Sequence, residues 1–185
     1  MKYFKKIVGE RLYLSPINKE DYEVYTKWIN DSEVGENLGN YSMLLTLDEE
    51  RKWLEEFSSK NHNYAMVLHD GDQLIGNIGF VEIDNISRTG IVGLFIGEKE
   101  HRNNGYGTEA LQLFLDYGFK TLNLHNIMLH VFSRNEQGIA CYKKVGFKEI
   151  GRRRESKFIN GQYYDTVYMD ILSSEFTRQK TTEIL

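Results

Sequence analysis

Arg102-Asn103-Asn104-Gly105-Tyr106-Gly107-Thr108 lies between a strand-like run, Ile91-Val92-Gly93-Leu94-Phe95-Ile96, and a helix-like run from Glu109 to Phe119. The first run is continuously apolar and rich in β-formers. In the second, Leu111, Phe114, Leu115 and Gly118 repeat at helical spacing. A glycine-rich loop that opens a helix turns unpaired backbone N–H groups toward one point, and the helix dipole adds positive potential there. Such a loop is an anion site, and its natural occupant is a phosphate or pyrophosphate. Gly105 and Gly107 permit positive φ and let a ligand approach where a Cβ would otherwise stand.

Two ligand classes use loops of this kind. Gly105-x-Gly107-x-x-Ala110 fits the dinucleotide fingerprint of doubly wound folds, and Ser133-Arg134 after the next strand-like run imitates a 2′-phosphate contact. Against that reading, the hydrophilic stretch Glu98 to Asn104 separates the strand from the first glycine. The acidic ribose partner expected about 20 residues on is also missing, since Leu124, His125 and Asn126 stand there.

The second reading takes Arg102-x-x-Gly105-x-Gly107 together with Asn135-Glu136-Gln137-Gly138-Ile139-Ala140-Cys141-Tyr142-Lys143-Lys144-Val145-Gly146-Phe147. The loop resembles the acyl-CoA pyrophosphate loop of the GNAT superfamily of N-acetyltransferases, Q/R-x-x-G-x-G/A. The later segment resembles the same family's N-x-x-[AG]-[IV]-x-x-Y-x-K-x-G-F. Both stand in the family's order, with one helix and one strand between them. Within the superfamily the chain is similar to the RimJ/RimL-type branch, which includes bacterial spermidine acetyltransferases. That similarity is best from Arg88 to Leu172, where Gly151-Arg152-Arg153-Arg154-Glu155 and Phe158 to Asp165 echo the branch's closing hairpin. One departure concerns the strand before the loop. Where the branch often carries a glutamate, this chain has Ile91 within Gly90-Ile91-Val92-Gly93.

The chain of 185 residues fits one domain, expected over residues 1–172 with a polar tail at 173–185 that frays. Hydrophobic content of 41% and charged content of 27% describe a soluble globule. No apolar run is long enough to span a bilayer, so no membrane partner is expected. Met1 to Lys6 is not followed by a signal-peptide core, and the single cysteine excludes an internal disulfide framework and a thiolate metal cluster. The cytoplasm is the expected location. A net charge of −4 argues against nonspecific nucleic-acid binding and suits a cationic substrate.

Along the chain, Glu10 to Ser15 alternates as a strand, and Asn18 caps a helix with Tyr22, Tyr25 and Ile29 on one face. Thr46-Leu47-Asp48-Glu49 reads as a capping box for a helix through Trp53, Leu54 and Phe57. Strands at 64–69 and 74–83 meet at Asp70-Gly71-Asp72, and a final pair meets at Asn160-Gly161. The order βααβββαβαββ predicts an α+β, mixed α/β fold: a central mixed, mostly antiparallel sheet with helices on both faces. The terminal hairpin disfavours a doubly wound sheet. The resemblance names this architecture as the GNAT acyl-CoA N-acyltransferase fold.

The resemblance implies acetyl-CoA as cosubstrate and a primary amine as acceptor, on a polyamine, a protein N-terminus, an amino sugar or an aminoglycoside. It implies that Arg102, Asn103, Asn104, Gly105, Tyr106, Gly107 and Thr108 hold the pyrophosphate. Pantetheine is expected beside Leu94, Phe95 and Ile96, with an N–H near Leu94 or Phe95 facing the thioester oxygen. Asn135 either touches the coenzyme's amide arm, caps its own helix, or does both. Tyr142 is the candidate general acid and a further coenzyme contact, since a phenol of pKa about 10 can protonate a thiolate of pKa about 8.5. Its alternative is core packing with Ile139 and Val145.

For the general base, Glu82 interrupts apolar neighbours in its strand and could face the cleft, or it could be an exposed edge carboxylate. His130, His101 and Glu98 are further candidates. Cys141 reads as a small hydrophobe, and the five histidines show no ligand spacing, so no metal is expected. Asp48, Glu49, Glu50, Glu55 and Glu56 read first as a solvated helix face and second as a polyamine site. The branch is often dimeric or larger, so a homo-oligomer is an expectation from resemblance. A noncatalytic acyl-CoA sensor and a nucleotide-dependent reductase are the competing functions.

Overall fold

The computed structural model describes residues 2–39, 42–58 and 62–177. Its strands are β1 (Ile7–Val8), β2 (Leu12–Pro16), β3 (Asn63–Leu68), β4 (Leu74–Asp84), β5 (Thr89–Ile96), β6 (Asn126–Phe132), β7 (Lys148–Ile159) and β8 (Gln162–Leu172). The helices are α1 (Tyr22–Ile29), α2 (Ser32–Leu38), α3 (Leu47–Ser58), α4 (Tyr106–Lys120) and α5 (Glu136–Val145). All eight strands form one sheet in the order β1-β2-β3-β4-β5-β6-β8-β7. Every neighbouring pair is antiparallel except β5–β6. The parallel pair needs a crossover, and α4 supplies it.

The punctuation anticipated from the sequence is present. Thr46 and Glu49 exchange capping-box bonds, with Thr46 N–H donating to Glu49 Oε2 (2.9 Å) and Glu49 N–H to Thr46 Oγ1 (3.3 Å). Asn160 and Gly161 both have positive φ, 49° and 83°, as a tight hairpin turn demands. Gly146 ends α5 at φ 117°. Asn18 caps a short 3-10 turn, Lys19–Asp21, that leads into α1.

Helices pack on both faces of the sheet. On one, Leu111, Phe114 and Leu115 of α4 pack with Phe80, Val92, Ile127 and Leu129, joined by Tyr142 and Val145 of α5. On the other, Tyr25 and Trp28 of α1 and Leu54 of α3 pack on Tyr13, Ala65, Val67 and Phe95.

Four details differ from the sequence reading. Strand β1 is additional, with Ile7 and Val8 pairing to Leu14 and Tyr13 of β2. Helix α2 is additional: Asp31 caps it, accepting from the N–H groups of Glu33 and Val34, and Gly39 closes it at φ 80°. Its interior carries Gly35 and little apolar periodicity, so only its two ends signalled a helix. Helix α4 starts at Tyr106, three residues before Glu109, because Gly105 at φ 79° serves as its N-cap. The segment after β8 docks instead of fraying: Ser173 N–H donates to His125 O (2.8 Å), and Phe176 meets the Phe119 ring at 5.4 Å. Residues 178–185, like Asn40 and Tyr41, lie outside the described residues.

Candidate active site

The parallel ladder between β5 and β6 is short. Thr89, Gly90 and Ile91 pair with Asn126, Ile127 and Met128, and there the pairing stops. Both strands run on, to Ile96 and Phe132, each still paired on its outer edge with β4 or β8. A gap therefore opens in mid-sheet, between two strands whose facing edges have no ladder partner. Gly97 N–H donates to Ile75 O (2.9 Å), so alternation along β5 turns the amides of odd-numbered residues toward β4. Those of even-numbered residues face the gap. Leu94 is the residue whose amide points into the opening beyond the last paired position; the amide of Phe95 points to β4.

The loop Arg102–Thr108 stands at the open end of the gap. Asn103 (φ 62°) and Gly105 (φ 79°) adopt the left-handed region, and the amides of Gly105, Tyr106, Gly107 and Thr108 have no acceptor among the described residues. A Cβ placed on Gly107 would meet nothing nearer than Leu94 Cδ1 at 3.6 Å and Cys141 Sγ at 3.9 Å. The loop thus packs close to both the strand end and α5, with room for no more than a methyl group between them. These amides are donors without protein partners at a helix N-terminus, which suits a diphosphate. Below them, an unpaired strand edge suits the amide-bearing arm of an acyl-CoA.

Arg102 behaves differently from its neighbours. Its guanidinium donates to Ile96 O (3.2 Å) and Gly97 O (2.6 Å) and pairs with Glu33 of α2 at 2.8 Å. It fastens the end of β5 and turns its side chain inward, so only the backbone around it belongs to the loop's anion face. Asn104 Nδ2 donates to Glu100 O (2.7 Å), and Thr108 Oγ1 lies 3.4 Å from Cys141 Sγ.

Tyr142 is partly buried, with its ring 6.1 Å from Phe147 in an edge-on contact. Its hydroxyl makes no hydrogen bond among the described residues, and desolvation pushes its pKa well above the usual phenol value. Asn135 Oδ1 accepts from Gly138 N–H at 2.8 Å and so caps α5, while its Nδ2 has no hydrogen-bond partner among the described residues. Burial, ahead of any other influence, also raises the Cys141 thiol, which makes it a poor nucleophile.

Glu82 is exposed, and its position depends on a β-bulge. Gly79 and Phe80 face Gly93 and Val92, but the register then shifts so that Glu82 faces Ile91. The extra residue, Val81, brings Glu82 onto the sheet face that carries Ile91. A cavity of about 380 Å³ opens there, lined by Glu82, Asp84 and Asp170 together with Thr89, Ile91, Asn126, Met128 and Ile150. No cationic side chain among the described residues lines it. Asp170 accepts from Asn126 Nδ2 (2.8 Å), and hydrogen bonds from Ser87 and Ile86 hold Asp84 below the usual carboxylate range.

The remaining base candidates are placed as follows. His130 lies opposite Tyr168 on the cavity's face of the sheet, and its imidazole is pushed below its usual value by desolvation and then by Lys157. Glu98 is engaged: hydrogen bonds from Lys27 and Trp28 Nε1 lower it. His101 sits edge-on to Tyr106, 6.2 Å between ring centres. The acidic run of α3 is largely spent on structure, with Glu49 in the capping box, Glu55 paired to Lys19 at 2.9 Å and Glu50 buried. No cluster of metal-ligating residues occurs among the described residues, and no described helix is long and apolar enough to cross a membrane.

Sequence reasoning missed the connections made by α2. Glu33 reaches Arg102 and Lys99, and Glu36, one turn on, pairs with Arg134 and accepts from Asn160 Nδ2 (2.7 Å). The spacing of the two glutamates was the only available sign. Arg11 was missed as well, since nothing local marks it.

A sheet opened at one parallel pair, with a free-amide loop at the mouth, defines an acyl-CoA-dependent N-acyltransferase. Residues 11–148 match the acetyltransferase (GNAT) domain family, and the chain belongs to that family. It is an acetyltransferase whose acyl donor is acetyl-CoA. Among its relatives, a spermidine N(1)-acetyltransferase of Vibrio cholerae is 38% identical over 128 residues, covering 66% of this chain and 73% of the relative. A putative ribosomal N-acetyltransferase of Bacillus subtilis is 28% identical over 154 residues, covering 83% and 81%. Among solved structures, spermidine N-acetyltransferase from Vibrio cholerae in complex with CoA and spermine aligns with a TM-score of 0.80 at 29% identity, covering 90% of this chain and 98% of that one.

Proposed function

We propose that the protein acetylates a polycationic primary amine by direct attack of that amine on acetyl-CoA, and that it stands in the RimJ/RimL-type branch. The observation that carries the acceptor class is the acid-lined cavity. Glu82, Asp84 and Asp170 line about 380 Å³ without a cation among them, on the sheet face beside the opened strands. Polyamines fit this field best among primary amines, and relatives named as spermidine acetyltransferases support the choice. Aminoglycosides, amino sugars and protein N-termini are the alternatives the assay below separates.

In this reading the amides of Gly105 to Thr108, with the backbone of Arg102, Asn103 and Asn104, hold the pyrophosphate. The edges of Leu94 and Ile96 align the pantetheine arm, with Phe95 supporting β5 from its other face, and Asn135 Nδ2 donates to the same arm. Leu94 N–H donates to the thioester oxygen as negative charge develops on it, a contribution of roughly 3 kcal/mol.

Glu82 supplies the carboxylate that the branch carries where this chain has Ile91; the bulge delivers it from the adjacent strand. It stands three residues back from the level of Leu94, roughly 10 Å at 3.3 Å per residue. It therefore draws in the ammonium and takes up its proton through water. The nitrogen–carbon bond forms as the carbon–sulfur bond breaks, and the extra proton left on the new amide nitrogen passes to water. Tyr142, kept neutral by desolvation and without a hydrogen-bond acceptor among the described residues, gives its proton to the leaving sulfur and is reprotonated from solvent.

Thiol release from acetyl-CoA, followed with spermidine, spermine, alanyl and seryl peptides, an aminoglycoside and an amino sugar, tests the proposal. Saturable release with the polyamines alone is expected. Release confined to the peptides or to the sugars would refute the polyamine assignment.

A further inference from the structure

The loop at the mouth of the gap is held from a distant part of the chain. Glu109, in the first turn of α4 and only 5% exposed, accepts the N–H groups of Glu10 and Arg11, both at 2.9 Å, and Arg11 Nε at 2.8 Å. Arg11 then reaches past it. Its Nη1 donates to Asn104 O at 2.8 Å, and its guanidinium lies 4.8 Å from the centre of the Tyr106 ring. The β1–β2 turn comes close enough for this only because residue 9 is glycine; a Cβ there would fall 2.6 Å from Glu109 Oε1. One guanidinium thereby ties the carboxylate, the loop carbonyl and the first aromatic residue of α4 together.

The consequence for the loop follows from peptide geometry. In a trans peptide the C=O and the next N–H point in opposite directions. With Asn104 O drawn to Arg11, the N–H of Gly105 is turned away from Arg11 and joins the free amides of Tyr106, Gly107 and Thr108. Gly105 tolerates this at φ 79°, and Asn103 before it is also left-handed at φ 62°. Without the tie the peptide can rotate, since neither flanking residue is locked by a ladder. The anion site would then lose a donor or present an oxygen in its place.

We propose that Arg11 is a positioning residue for the pyrophosphate of acetyl-CoA: it acts through Asn104 and Tyr106, without touching the coenzyme, to keep the Gly105 amide in the anion site. This rests on the reading of the loop as the pyrophosphate site. Arg102, the arginine of the loop itself, does not serve this purpose, because its guanidinium is committed to Ile96, Gly97 and Glu33.

A donor that ends before the pyrophosphate separates this role from simple stapling of β1–β2 onto α4. Steady-state kinetics with acetyl-CoA and with S-acetylpantetheine would be measured for the wild type, Arg11→Lys, Arg11→Met and Gly107→Val. Lysine retains charge but cannot bridge Glu109 and Asn104 together. The expected result for both Arg11 variants is a KM for acetyl-CoA raised about tenfold, the loss of one charge-assisted contact, with kcat within about twofold. The constants for S-acetylpantetheine should stay at the wild-type values.

Equal losses with both donors, or no loss with either, would overturn the proposal. If Gly107→Val discriminates between the donors and the Arg11 variants do not, the role of Arg11 alone has failed. If none of the variants discriminates, the pyrophosphate site has been misplaced and the proposal falls with it. Should Arg11→Met fold poorly, Arg11→Met/Glu109→Gln removes the stranded carboxylate while keeping an acceptor for the two amides, and the same comparison applies.

Discussion

Substituting Gly107 in steps separates the fold's need for this residue from the ligand's. Gly107 is the second residue of α4, and its φ is not in the left-handed region. A methyl group there meets Leu94 Cδ1 at 3.6 Å, Ile96 Cδ1 at 3.8 Å and Cys141 Sγ at 3.9 Å, all ordinary contacts. Helix propensity then favours Ala over Gly by up to about 1 kcal/mol and Val over Gly by about 0.4 kcal/mol. Neither variant should unfold the protein. The additional methyls of Val have protein on three sides, so they turn toward the open side, where the proposed phosphate site lies. Displacing the phosphate from one charge-assisted N–H contact costs about 1.5–3 kcal/mol, roughly a 10- to 150-fold rise in Kd. Calorimetric titration with acetyl-CoA, beside urea unfolding of the same samples, is the assay. Gly107→Ala should bind nearly as the wild type and be slightly more stable, while Gly107→Val should bind far more weakly at unchanged stability. A folded Gly107→Val protein with wild-type affinity would show that the phosphate lies elsewhere.

Tyr142→Phe should lower kcat by about 10²-fold, the scale of a lost general acid, with the Kd for acetyl-CoA unchanged; an unaltered kcat would return Tyr142 to a packing role. Because its pKa is raised, Tyr142 stays protonated through the assay range, so wild-type kcat should show no decline between pH 7 and about pH 9 from loss of this proton. Glu50 is 2% exposed, its Oε1 has no hydrogen-bond partner among the described residues, and burial raises its pKa to about 7 from 4.5. The folded state therefore holds this proton when the unfolded state has released it. Stability from this group is fully present below about pH 4.5 and is lost as pH rises through about 7, a span of up to about 3 kcal/mol. Glu50→Gln should match the wild type near pH 4.5 and exceed it in urea unfolding at pH 8; equal stability at pH 8 would contradict the assignment. Gly97→Ala would place its Cβ inside the Trp28 ring, and should lower stability by about 3 kcal/mol or more. A wild-type thermal midpoint would disprove that close packing.

The parts of the site legible in the sequence are those where local chemistry dictates geometry. Gly105, Gly146 and the Asn160-Gly161 pair announce their backbone conformations through residue type, and each adopts the conformation its type favours, while Asn135 makes the capping hydrogen bond its type favours. The opening between β5 and β6 was not legible, because it is an absence of pairing beyond Ile91 and Met128 and leaves no mark on either strand. The choice between Leu94 and Phe95 as the amide facing the gap was fixed by one register bond, Gly97 to Ile75. Glu82 illustrates the same limit. An unbroken alternation would have put Val81 opposite Ile91, and only the bulge turns the carboxylate to that face. Arg11 and Glu109 lie 98 positions apart and meet through tertiary packing, so neither carries a local sign of the other.

In the proposed reaction the acetyl group passes from the coenzyme straight to an amine within this site. Intact-mass analysis of both protein and acceptor tests it most directly. Incubation with acetyl-CoA alone should leave the protein's mass unchanged, and adding spermidine should produce acetylated spermidine together with free CoA in equal amounts. A stable acetyl adduct on the protein, carried on Cys141 and released only when the amine is added, would contradict direct transfer.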